Sequence, residues 1–234
     1  MLRNNKIRPS PLYYSLLCLQ HQLGNCVTSG LRAVTVDIDE KKLELLPRFF
    51  CDGEVPPELI EHYGVVLIEV DTDTKEQYFC RDEIIQLDYP KPIPIHGRLA
   101  FLRYEPNLPK IPKENKAFLL NESYEPHAIF RLDMQEALLG KVTPSLRYVG
   151  VKIEPEKKKL TTHFIYDGEI SERDQNLAQV AIEESRISFP EYEMDATVER
   201  VDFPQEMVHR TNRLAYWRQE WDYIKMAPVE IVKK

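Results

Sequence analysis

Two Asp-Gly-Glu triplets, Asp52-Gly53-Glu54 and Asp167-Gly168-Glu169, each close an aromatic-rich run. Two carboxylates one glycine apart in a turn could do general acid–base work if a pocket held them. Other charged residues recur with them. Asp88 in "DYPKPIP" and Asp202 in "DFPQ" precede aromatic–proline pairs, Arg32 and Arg147 share "LR", and Arg103 and Arg218 stand near the last strand of each half. His163 in "TTHFIY" has the chemistry of a base, but Arg48 occupies the matching place upstream, and a base does not survive that exchange.

A simpler use accounts for every one of these residue types. Glycine permits the chain reversal, and the glutamates Glu54 and Glu169 complement the positive end of the helix that follows. An aspartate before an aromatic–proline pair caps a loop, and the arginines pair with the acids. No phosphate-cradling, dinucleotide, zincin or nucleophile-elbow motif occurs. With only eight glycines, an elaborate phosphate-binding loop system is not expected. The sequence therefore designates no catalytic residue, no metal ligand and no cofactor.

What positions these residues is a duplication. "LGNCVTSGLRAVTVDIDEKKLEL" matches "LGKVTPSLRYVGVKIEPEKKKLTT", with one residue inserted in the first copy, and "CDGEVPPEL" matches "YDGEISERD". "IIQLDYP" matches "VERVDFP", and "GRLAFLRYE" matches "NRLAYWRQE". Leu31 pairs with Leu146, Arg32 with Arg147, Asp52 with Asp167, Asp88 with Asp202 and Arg98 with Arg213, in constant order and at offsets of 114 or 115. The reading is a first repeat domain over 1–113, ending in the proline-spaced "EPNLPKIPK", a linker over 114–126 and a second repeat domain over 127–234, each half carrying its own apolar centre.

Each copy opens with an amphipathic helix closed by Gly24 or Gly140 as a left-handed cap. Two alternating strands follow around a tight charged turn. A second helix starts beyond Asp-Gly-Glu, over Pro57–Glu69 and Glu172–Ile187, with Ser171 and Asp174 as a capping box and prolines 56 and 57 suited to a first turn. Two more strands, near Asp82–Tyr89 with Arg98–Tyr104 and near Ala196–Phe203 with Leu214–Glu220, finish the unit. The expected class is α+β: two tandem α-β-β-α-β-β units, each a four-stranded antiparallel sheet with two helices on one face. Pro47 places its strand at an edge or at a bulge. The tail "MAPVEIVKK" is either a short strand or unstructured.

Composition narrows the function. The 234 residues carry a net charge of -7, which disfavours a general nucleic-acid binder and suits a basic protein partner. Cys18, Cys26, Cys51 and Cys80 form no CxxC pair, so reduced thiols in a cytoplasm are expected. "SPLYYSLLCLQHQLG", after Arg3, Lys6 and Arg8, is too short and polar to span a bilayer, and no small-x-small cleavage pattern follows it. In "YWRQEWDY", which holds Trp221 and Tyr223 as well, Tyr216 and Trp217 must point to opposite faces of a strand, which makes one of them a candidate exposed anchor.

The passage "ALLGKVTPSLRYVGVKI…FIYDGEISERD…ERVDFP…RLAYWR" resembles small single-domain immunity proteins of bacterial toxin systems, of the contact-dependent inhibition or colicin type. The resemblance implies a non-enzymatic protein that binds a toxin domain and masks it. The candidate partner surface is Asp52, Glu54, Asp167, Glu169, Tyr216 and Trp217. Two alternatives stand beside this: a scaffold whose repeats pack as a pseudo-dimer, and an enzyme using the Asp-Gly-Glu carboxylates.

Overall fold

The computed structural model describes residues 11–23, 26–39, 41–73, 79–108, 111, 126–207 and 213–220. The cap at Gly24, the linker core, Trp221, Tyr223 and the tail lie outside the described residues. The first repeat runs α1 (Pro11–Leu23), β1 (Leu31–Asp39), β2 (Glu44–Cys51), α2 (Pro57–Asp73), β3 (Phe79–Cys80), β4 (Glu83–Gln86) and β5 (Arg98–Leu102). The second runs α3 (Pro126–Ala137), β6 (Leu146–Glu154), β7 (Lys159–Tyr166), α4 (Glu172–Ser188), β8 (Glu193–Arg200) and β9 (Arg213–Trp217). The α+β class and the repeated unit are as expected.

The strand directions are not. Only β1–β2, β1–β5, β6–β7 and β6–β9 are antiparallel, whereas β2 runs parallel to β3 and β4, and β7 parallel to β8. The reason is the helix between them. Having crossed the sheet in α2 or α4, the chain re-enters it in the direction it left, as a crossover requires. The last two strands of each unit therefore do not form a hairpin: in the second sheet they are the opposite edges of the order β8-β7-β6-β9.

Pro47 corrects a second expectation. It lies in β2, which is central, paired with β1 on one side and with β3 and β4 on the other. Glu44 and Leu45 pair with β3, Arg48 to Cys51 pair with β4, and Pro47 faces the break between them. Without an N–H it cannot continue the ladder, so the neighbouring strand is split. In the second repeat Thr162 holds the equivalent place, pairs with Ala196, and β8 is unbroken.

The sheet pleat sorts the side chains. Val34, Val36, Leu45 and Phe49 pack with Leu19, Tyr63, Val66 and Val70 of the helices, while Ala33, Phe50 and Leu99 turn to the opposite face against Ile93 of the connecting segment. Phe49 stacks on Tyr63 with centroids 4.2 Å apart. At the α4 start, Ser171 and Asp174 close the expected capping box.

The two apolar centres are not separate, contrary to expectation. One cluster runs from Leu19 and Phe101 of the first repeat into Leu138, Val142 and Tyr216 of the second. The backbones join reciprocally: Gln219 N–H donates to Val27 O (2.7 Å) and Tyr104 N–H donates to Val142 O (2.8 Å). Parallel bridges Val27–Arg218 and Arg103–Val142 accompany them. A shift of 115 residues turns each of these contacts into the other.

Candidate functional site

The recurring charged residues assemble into one arrangement, built twice. Arg32 leaves β1 into the interior, and its Nε and Nη2 donate to the two carboxylate oxygens of Glu105 at 2.6 Å each. Its remaining donors reach Leu87 O (2.6 Å) and Lys91 O (2.8 Å), so the guanidinium also fastens the segment after β4. Arg147 does the same with Glu220 (2.6 and 2.7 Å), Val201 O and Gln205 O. Each guanidinium lies near an aromatic ring, Tyr89 at 5.8 Å and Phe203 at 5.9 Å.

A second arginine ties in the Asp-Gly-Glu turn. Arg103 bridges Asp52 (3.0 Å), Glu105 (3.3 Å) and Ser29 O (2.7 Å). Arg218 bridges Asp167 (2.8 Å), Glu220 (2.9 Å) and Pro144 O (2.8 Å). The other oxygen of Asp52 accepts the Tyr89 N–H, and that of Asp167 the Phe203 N–H, both at 3.0 Å. In return Gly53 N–H donates to Asp88 (2.9 Å) and Gly168 N–H to Asp202 (2.8 Å). Gly53 and Gly168 hold φ of 78° and 77°, the left-handed turn that glycine tolerates best. Loop capping by Asp88 and Asp202 is thus what the sequence reading expected. The arginines, however, reach Glu105 and Glu220 and the turn aspartates rather than Asp88.

The electrostatics are those of a clamp. Burial alone would raise the Asp167 carboxyl, but the Arg218 guanidinium and the Phe203 N–H override it and hold it below the usual range. Asp52 is held down in the same way by Arg103 and Tyr89 N–H. Arg200, with the Gly168 N–H, brings Asp202 down to about 2. Carboxylates so committed stay ionised and hydrogen-bonded, which ill suits proton transfer near neutral pH. The triplet divides its labour: the aspartates are clamped, while Glu54 and Glu169 are exposed. His163 shares a 2.7 Å hydrogen bond with Thr197, and Arg48 pairs with Asp37 and Glu83.

The aromatic pair needs correction. Tyr216 and Trp217 do point to opposite faces, but Tyr216 is 5% exposed in the seam between repeats, and so is not a surface anchor. Trp217 is half-buried against the cluster of Tyr148, Ile165 and Met207. Exposed large apolar side chains lie elsewhere, at Ile60, Val65 and Ile68 on α2, at Val180 and Ile187 on α4, and at Leu43, Phe79, Tyr89 and Val198. Glu105 and Glu220 were overlooked at the sequence level, although the matched "RYE" and "RQE" carry both.

Among the described residues no group of His, Cys, Asp and Glu has metal-binding geometry. The four cysteines are free thiols, and no described helix is long and apolar enough to cross a membrane. A search of curated proteins finds no match. The family model described as MafI2 immunity protein matches twice, over residues 14–105 and 128–220. Each match contains one complete clamp, from Arg32 to Glu105 and from Arg147 to Glu220. With two full copies of that unit spanning most of its length, the chain belongs to the MafI2 immunity protein family.

Proposed function

We propose that this protein is a cytoplasmic, non-enzymatic immunity protein that binds a toxin domain and neutralises it by masking. The observation that carries this reading is membership of an immunity-protein family in both repeats. Three features support it. The net charge of -7 complements a basic target and speeds encounter. The turn aspartates are tied up in ion pairs rather than presented to a substrate. The two repeats, taken as 1–113 and 127–234 about a connector at 114–126, act as one rigid binder because their interiors merge.

The test is co-expression with any toxin-like domain that the neighbouring reading frames encode, and neighbours that encode none count against the reading. Cells carrying both are expected to grow, and the two proteins to co-purify in fixed stoichiometry. Death of the doubly transformed cells, or no complex between purified proteins, refutes the reading. Burial of Tyr216 in the seam favours a second reading, a scaffold of two duplicated domains with no toxin partner; that reading expects neither protection nor complex. An Asp167→Asn, Glu169→Gln variant that still protects fully would dispose of any enzymatic role for the triplet.

A further inference from the structure

Helices α2 and α4 occupy the same place in the two repeats and bury the same face. Leu59, Tyr63, Val66, Leu67 and Val70 are inward on α2, and the residues 115 positions later, Asp174, Ala178, Ala181, Ile182 and Ser185, are inward on α4. The outward faces have diverged. Ile60, Gly64 and Ile68 form a line at four-residue spacing along α2, where α4 carries Gln175, Gln179 and Glu183. Ile60 is 47% exposed and Ile68 67%; Val65 beside them, at 45%, has an equally exposed counterpart in Val180 on α4, so the divergence is that of this one line. Polar residues are what a solvated helix face selects, so the second repeat shows what folding alone asks for here.

Gly64 strengthens the contrast. A Cβ there would meet nothing within 4 Å, and its φ lies outside the left-handed region. Mid-helix glycine destabilises relative to nearly every other residue, and here no close approach or turn calls for it. Its effect is an open notch between two isoleucines. The rim has one sign: Glu58, Glu61 and Glu69 are exposed around the stripe, and α2 contains no lysine or arginine, whereas α4 mixes Arg173 and Arg186 among its acids. An apolar centre inside a charged rim is the anatomy of a protein interface, and a uniformly acidic rim calls for a basic partner surface.

We propose that the outward line of α2, Ile60–Gly64–Ile68, is where the toxin domain docks, through a basic surface that sets one side chain into the notch at Gly64. This rests on the immunity reading and assigns recognition to the first repeat.

The test measures binding of the purified full chain to the toxin domain that it protects against in co-expression, by calorimetry, with melting temperature as the folding control. Gly64→Gln, which installs the residue α4 uses, is expected to raise the melting temperature while weakening binding about 30-fold or more, the loss of a hot-spot contact. Ile68→Glu is expected to weaken it at least as much, and Glu183→Lys on α4 to leave it within about threefold. Higher salt is expected to weaken the wild-type complex. If the α2 variants bind like wild type, or Glu183→Lys loses as much as they do, the docking assignment is overturned while the immunity reading stands. If wild type neither binds nor protects, the immunity reading falls and takes this assignment with it. Sedimentation showing a wild-type dimer that Ile68→Glu dissolves would make the stripe a self-association face and also overturn it.

Discussion

Arg32 and Glu105, 73 residues apart in sequence, meet through two parallel hydrogen bonds of 2.6 Å, with the arginine fully buried. Removing Arg32 leaves the buried Glu105 with the longer 3.3 Å contact to Arg103 in place of a bidentate partner. Arg32→Met is expected to cost about 3–5 kcal/mol in urea denaturation. The double variant Arg32→Met, Glu105→Leu is expected to recover part of that loss. A cost under about 1 kcal/mol for the single variant would mean that water reaches Glu105.

The clamp also sets a pH dependence. The folded pKa values of Asp52, Asp167, Asp174 and Asp202 all lie below the unfolded value of about 3.9. Groups lowered on folding stabilise above the unfolded pKa and lose that contribution as pH falls through the folded one. Stability is therefore expected to drop from about pH 4 downward, with Asp202 protonating last, at about 2. A denaturation midpoint that stays flat between pH 5 and 2 would contradict this.

Asp133 works in the opposite sense. Burial, chiefly, raises its carboxyl, against hydrogen bonds from Ser185 and Ser188. A carboxylate raised on folding is a liability above its folded pKa. Asp133→Asn is expected to stabilise the protein at pH 7, with the gain vanishing as pH falls towards 4. A loss of stability at pH 7 would show that the charged form is needed there.

The two second helices differ at their starts. On α4, Asp174 accepts from Thr143, Ser145 and the Ser171 N–H and hydroxyl, while Pro56 and Leu59 stand at the matching places before and on α2. Ser171→Ala is expected to cost about 1 kcal/mol, and Asp174→Ala more, because it also takes the acceptor from Thr143 and Ser145. Hydrogen exchange of the first turn of α4 is the direct readout. Unchanged protection there would argue that packing alone holds the helix end.

Tyr216 joins the interiors of the two repeats, so its truncation is felt by both. Tyr216→Ala is expected to cost about 3–5 kcal/mol while unfolding remains a single transition. Two separated transitions in the wild-type protein would contradict a common interior.

How much of this the sequence disclosed depended on what kind of information each feature needs. Duplication made the Asp52–Asp167, Asp88–Asp202 and Arg32–Arg147 pairs visible, because each copy served as a control for the other. Capping by Ser171 and Asp174 was legible because it is local. Strand direction was not: alternation identifies β4 and β8 as strands equally well in either orientation, and only the crossover of α2 and α4 decides it. The partners of Arg32 and Arg147 were missed because charge pairing over 73 residues leaves no periodic trace. Tyr216 was misjudged because strand alternation says which side a ring takes, but not that a second repeat stands on that side.

The reciprocal joint at Val27 and Val142 has an evolutionary corollary. A gene coding for one copy alone would expose Leu23, Phe101 and their neighbours along a wet, adhesive flank, so a one-copy ancestor would have needed a twin molecule to cover it. Fusing the twins in one reading frame frees them from remaining identical. One partner can then specialise its outer helix for recognition while its sibling, with glutamines and a glutamate along the matching line, serves as ballast.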